Sequence, residues 1–112
     1  MRKRKELEAH LESACVKWAR DELGLLSRKL NGLGFNSWPD RMFIPARRRR
    51  IKYMKALPVW FVEFKREGKK PTEAQAEMHA ELYERKQMVS VIDDFEYFKH
   101  RARLFANMAD KL

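Results

Sequence analysis

Glu63-Phe64-Lys65 ends the apolar run Val59-Trp60-Phe61-Val62 and follows Trp38-Pro39-Asp40 at a distance that allows strand pairing. In an extended strand, residues two apart share a face, so Glu63 and Lys65 stand side by side while Trp60, Val62 and Phe64 point the other way. Asp40, at the start of the neighbouring strand, adds a second carboxylate within reach of a shared ion. Two carboxylates suit a hard cation such as Mg²⁺ or Mn²⁺, which polarises a phosphate and lowers the pKa of a bound water. Lys65 beside them can position that water or balance developing charge. The alternative is a structural ion pair, since charged residues at a strand end usually serve only to solvate it. Glu-x-Lys recurs at Glu67-Gly68-Lys69 and Glu84-Arg85-Lys86, but only Glu63-Phe64-Lys65 terminates an apolar strand.

Other site chemistries find little support. Cys15 is the only cysteine, which removes disulfide frameworks and thiolate zinc sites and fits a reducing compartment. His10, His79 and His100 are scattered, without the two-histidine helical spacing of a zinc protease. Any metal is therefore expected on carboxylates, with no small-molecule cofactor. Gly32-Leu33-Gly34 is too short for a phosphate-binding fingerprint. Lys and Arg number 25 against 16 Asp and Glu, a net charge of +9, which favours a polyanionic partner and above all nucleic acid. No apolar run of signal-peptide or membrane-spanning length follows the basic Met1-Arg2-Lys3-Arg4-Lys5, so no membrane association and a cytoplasmic location are expected.

The elements that must position these residues are legible as periodicities. Leu7, Leu11, Ala14, Cys15 and Trp18 recur at helical spacing, predicting a helix from about Lys5 to Leu23 that stops at Gly24. Strands are expected over Leu25 to Leu30, Asp40 to Ile44, Val59 to Lys65 and Met88 to Ile92. Between the second and third lies Pro45 to Pro58, a basic excursion carrying Arg47-Arg48-Arg49-Arg50. Thr72-Glu73-Ala74-Gln75 has the form of a capping box and opens a helix to about Lys86. Asp93 or Asp94 caps a terminal helix striped by Phe95, Phe98, Ala102, Phe105, Ala109 and Leu112. One domain over residues 1–112 is expected, an α/β fold in which a mixed sheet of about four strands is flanked by helices.

Three segments in order, Trp38-Pro39-Asp40-Arg41, Trp60-Phe61-Val62-Glu63-Phe64-Lys65 and Lys70-Pro71-Thr72-Glu73-Ala74-Gln75, resemble the VRR-NUC branch of the PD-(D/E)XK nuclease superfamily over about residues 8 to 96. The resemblance implies a restriction-endonuclease-like αβββαβ core with an added C-terminal helix. It also implies a Mg²⁺- or Mn²⁺-dependent endonuclease on DNA, with branched DNA or four-way junctions among its candidate substrates, in which Asp40 and Glu63 bind the ion and Lys65 assists the water. Phe64, which has only main-chain oxygen to offer, joins the metal set. The family places a glutamate on the first helix; Glu12 matches best, with Glu8 one turn earlier as the alternative. Gln75 matches a glutamine facing the active site, although its spacing from Thr72 equally makes it a capping partner. Ser37 stands where the family usually has glycine. Free-standing members resemble Holliday junction resolvases of phage type, implying a homodimer in a bacterial or phage-infected cell.

Around this site, Arg47 to Arg50 with Lys69 and Lys70 are the candidate phosphate contacts, against the alternative of a solvated basic turn. Trp18 and Trp60 read as core, whereas Trp38, in a loop beside Asp40, can also contact a base or sugar. The stripe Phe95, Phe98, Phe105 and Leu112 is either a dimer surface or a face docked on the chain's own sheet.

Overall fold

The computed structural model describes residues 4–30, 32, 34–46 and 58–111. The first helix, α1 (Arg4–Leu23), stops where expected. Gly24 takes φ +68, a left-handed turn that a side chain resists, and its N–H donates to Arg20 O while Leu25 N–H donates to Ala19 O. The chain then runs through strands β1 (Leu26–Lys29), β2 (Arg41–Ile44) and β3 (Trp60–Phe64), helix α2 (Glu73–Glu84), strand β4 (Met88–Ile92) and helix α3 (Phe95–Asp110). This is the helix, three strands, helix, strand, helix order expected from the sequence.

The four strands form one sheet in the order β1-β2-β3-β4. β1 to β3 are antiparallel, with Leu26 opposite Ile44 and Arg41 opposite Val62, and β4 is parallel to β3 with Val62 opposite Ser90. A parallel return needs a crossover, and α2 supplies it. Its start is a complete capping box: Gln75 N–H donates to Thr72 Oγ1 at 3.2 Å and Thr72 N–H to Gln75 Oε1 at 2.9 Å. α3 is capped by Asp94, which accepts from Tyr97 N–H; Asp93 instead accepts from Gly68 N–H.

Alternation along β3 divides the molecule. Trp60, Val62 and Phe64 are buried with Phe98, Phe105, Cys15 and Ala19 in the core that α1 and α3 close over one face of the sheet. Trp60 Nε1–H donates to Ser90 Oγ at 2.9 Å, so the buried indole and hydroxyl satisfy each other. Burial, with the charges of Glu12 and Asp94, pushes the Cys15 thiol up to about 12, making it a packing residue without thiolate reactivity. Of the α3 stripe, Phe98 and Phe105 are not available as a dimer surface. Phe98 and Phe105 are fully enclosed by the chain's own sheet, and Phe95 packs at its edge beneath Lys99, because docking at home removes that apolar area from water without a partner. Leu112 lies outside the described residues, as do Arg47, Arg48, Arg49 and Arg50.

The loop into β2 is closed by Leu30 N–H donating to Asp40 O at 2.8 Å, which continues the β1–β2 ladder and fixes the Asp40 main chain. Within it Ser37 has φ +69, the left-handed region that favours glycine and accounts for glycine as the usual occupant. Among the described residues no helix is long and apolar enough to cross a membrane.

Candidate active site

Extending the β2–β3 register by one step past Arg41 and Val62 sets Asp40 opposite Glu63, on the face turned away from the aromatic core. The two are tied further by Asp40 Oδ2, which accepts from Phe64 N–H at 2.7 Å. Phe64 thus enters the site through its main chain while its ring stays in the core. Glu63 is 2% exposed, an unusual position for a carboxylate. Lys65 Nζ stands 3.8 Å from Glu63 Oε2, and Lys65 N–H donates to Ile92 O, so the β3–β4 ladder holds the lysine's backbone. The expected juxtaposition of Asp40, Glu63 and Lys65 is present.

Electrostatics there is tense. Burial pushes the Asp40 carboxyl up from 3.8 to about 7; the hydrogen bond from Phe64 N–H opposes this, and the Glu63 carboxylate, hydrogen-bonded to Asp40, and then Glu12 raise it further. Two carboxyls sharing a site cannot both ionise freely unless a cation comes between them. Glu63 Oε1 is also buried without a hydrogen-bond partner. Both observations fit a divalent cation held by Asp40 and Glu63. Among the described residues no three His, Cys, Asp or Glu side chains converge as a ready-made metal cage.

The Asp40 shift has a testable sign. The folded state binds this proton more tightly than the unfolded chain does, so its effect on stability is neutral below about pH 4. Stability then falls as pH rises toward about 7 and levels off above it. In EDTA, the urea midpoint of the wild type is expected to drop between pH 5 and pH 8, and Asp40→Asn to flatten that drop. Parallel profiles for the two proteins would show that another group is responsible.

The first-helix glutamates divide. Glu12 pairs with Arg41 Nε and stands 3.8 Å from Lys29 Nζ, and its charge reaches Asp40. Glu8 Oε1 accepts from Arg66 N–H at 3.2 Å, just beyond Lys65. Both therefore approach the site-bearing ends of β2 and β3, Glu12 from the Asp40 side. Gln75 Oε1 is engaged in the capping box, which is the structural half of the two readings open in the sequence. Lys69 and Lys70 are exposed on the turn after β3. Trp38 packs edge-on against Phe61 at 6.0 Å and Phe35 at 5.5 Å. Trp18 leans on Phe98 and carries Arg103 over its ring, as a core-edge residue.

One residue escaped the sequence reading. His79 Nε2, on α2, lies 3.6 Å from Glu63 Oε1, with the imidazole 12% exposed. Its signal was its place four residues after Gln75, on the same helix row, which carries no weight until the helix is known to face Glu63.

No family model and no curated protein matches this sequence. Among solved structures, one described as a VRR_NUC domain is 26% identical, with a TM-score of 0.67 over 84% of this chain and 91% of that one. In fold and in the order of its motifs, the chain is similar to a VRR_NUC domain of the restriction-endonuclease-like class.

Proposed function

We propose that the protein is a Mg²⁺- or Mn²⁺-dependent endonuclease that hydrolyses phosphodiester bonds in DNA, with branched DNA or four-way junctions as the favoured substrates. The observation that carries this reading is the pairing of half-buried Asp40 with buried Glu63, with Lys65 at its edge. A solvated ion pair would not hold a carboxylate at 2% exposure with one oxygen unpartnered. When bound, the ion polarises the scissile phosphate and acidifies a water in its shell.

Asp40 and Glu63 would hold it, with the Phe64 carbonyl as the main-chain member of the set. Loading the site displaces the proton that Asp40 keeps in the metal-free protein, so occupancy is favoured as pH rises. Lys65 Nζ, 3.8 Å from Glu63, orients the attacking water or balances charge on the phosphate. Glu12 tunes Asp40 from α1 and holds Arg41 in place. Gln75 shares its helix row with His79 and belongs to the site as well as to its cap. Lys69 and Lys70, with Arg47 to Arg50, are assigned to the DNA backbone. Each chain carries one such site, so cutting both strands of a duplex or junction calls for a homodimer with two-fold symmetry.

The test is incubation of purified protein with supercoiled plasmid and with a four-way junction, in EDTA, Mg²⁺ or Mn²⁺. Nicked or linear products that require the metal are expected. Salt-sensitive binding without cleavage under every metal would leave only a basic DNA-binding module.

A further inference from the structure

Two buried atoms face each other across the site without a hydrogen bond to either: Glu63 Oε1 and His79 Nε2, 3.6 Å apart. Leaving both unmade costs more than closing the gap, since a buried unsatisfied donor or acceptor forfeits its solvation. Nε2 must carry its hydrogen in this pairing, because an unprotonated nitrogen would turn a lone pair toward the carboxylate. The helix that carries His79 is pinned at its start by the Thr72–Gln75 capping box and toward its end by buried Leu82, so the imidazole has a fixed base. On the other side, Lys65 Nζ flanks Glu63 Oε2 at 3.8 Å.

We propose that His79 is a positioning residue of the site: its Nε2–H holds Glu63 Oε1 and fixes the rotation of that carboxylate, so that Glu63 and Asp40 meet a divalent cation already oriented. His79 acts through Glu63 and not on the ion, since its Nε2 faces Glu63 Oε1. Outer partners of this kind typically govern metal affinity by about 10–100-fold. The inference rests on the metal-dependent reading of the site.

Mn²⁺ binding to the intact protein, measured by calorimetry and by pulsed electron paramagnetic resonance, tests it. His79→Leu, which keeps bulk and removes the donor, is expected to weaken Mn²⁺ binding by about 10–100-fold. His79→Gln, which restores a side-chain N–H, should recover most of that loss. In EDTA His79→Leu is expected to unfold at somewhat lower urea than the wild type, because it leaves buried Glu63 Oε1 without a donor, and His79→Gln is expected to recover that loss together with the Mn²⁺ affinity. A lowered urea midpoint with unchanged Mn²⁺ affinity would mark His79 as a packing residue and overturn the proposal. A directly bound imidazole nitrogen in the Mn²⁺ spectrum would overturn it in favour of ligation. Absence of Mn²⁺ binding by the wild type is a different result, and it would sink the metal reading together with this one.

Discussion

Glu63→Gln is expected to reduce DNA cleavage on the order of 10³-fold or more, because an ion at the scissile phosphate supplies several kcal/mol of transition-state stabilisation and each 1.4 kcal/mol is about tenfold. Asp40→Asn should fall with it, since Asp40 and Glu63 stand opposite each other on β2 and β3 and both are assigned to the ion. Lys65→Ala should lose roughly 10²–10³-fold, the scale for removing one donor that meets developing charge. DNA affinity should survive all three and tighten slightly in the two carboxylate variants, which remove negative charge from a basic protein. Single-turnover cleavage alongside binding in the presence of Ca²⁺ separates these quantities. Near wild-type turnover in any one variant would remove that residue from the site. Within the same assay Glu12→Gln should slow turnover and Glu8→Gln should not, because the Glu12 charge reaches Asp40 whereas Glu8 accepts from the Arg66 backbone.

Phe98→Ala is expected to cost about 3–5 kcal/mol of stability, a large share of the roughly 5–15 kcal/mol that holds a domain together. Phe98 is fully buried on α3, and its ring lies 5.2 Å from that of Trp60, 5.5 Å from Phe43, 6.2 Å from Phe64 and 6.3 Å from Trp18. It therefore joins α1, α3 and the two central strands, and no single neighbour can collapse into the space it leaves. Urea unfolding followed by tryptophan fluorescence should show a lower midpoint at an unchanged slope. Tyr97→Ala, one residue away and 45% exposed, should stay within about 0.5 kcal/mol. If Phe98→Ala cost no more than Tyr97→Ala, α3 would not be anchored through this ring. Since β3 carries Trp60, Val62 and Phe64 inward and Glu63 outward, loosening the core should also loosen the carboxyl pair.

Taken by itself, the sequence determined the element order, the cap of α2, the stop at Gly24 and the pairing of Glu63 with Lys65 on one face. Each of these is a local consequence: a strand alternates every two residues, a helix repeats every 3.6, and a capping box needs only four neighbouring residues. The three motifs also sufficed to suggest the family, whose fold the structure shares. Only the tertiary structure decided matters that depend on elements far apart in the chain. The α3 stripe permitted a partner or the home sheet, and its fit over Trp60 and Phe43 chose the sheet. Glu8 and Glu12 were equivalent on a helical wheel; they parted because α1 crosses the sheet with Glu12 against Arg41 and Glu8 against the end of β3. His79 looked like one of three scattered histidines until the crossover of α2 brought it 3.6 Å from Glu63. Burial is a property of the packed chain, so the rise of the Asp40 carboxyl to about 7 could not be read from a carboxylate and its spacing; it exists only once folding partly buries Asp40 and sets it beside Glu63.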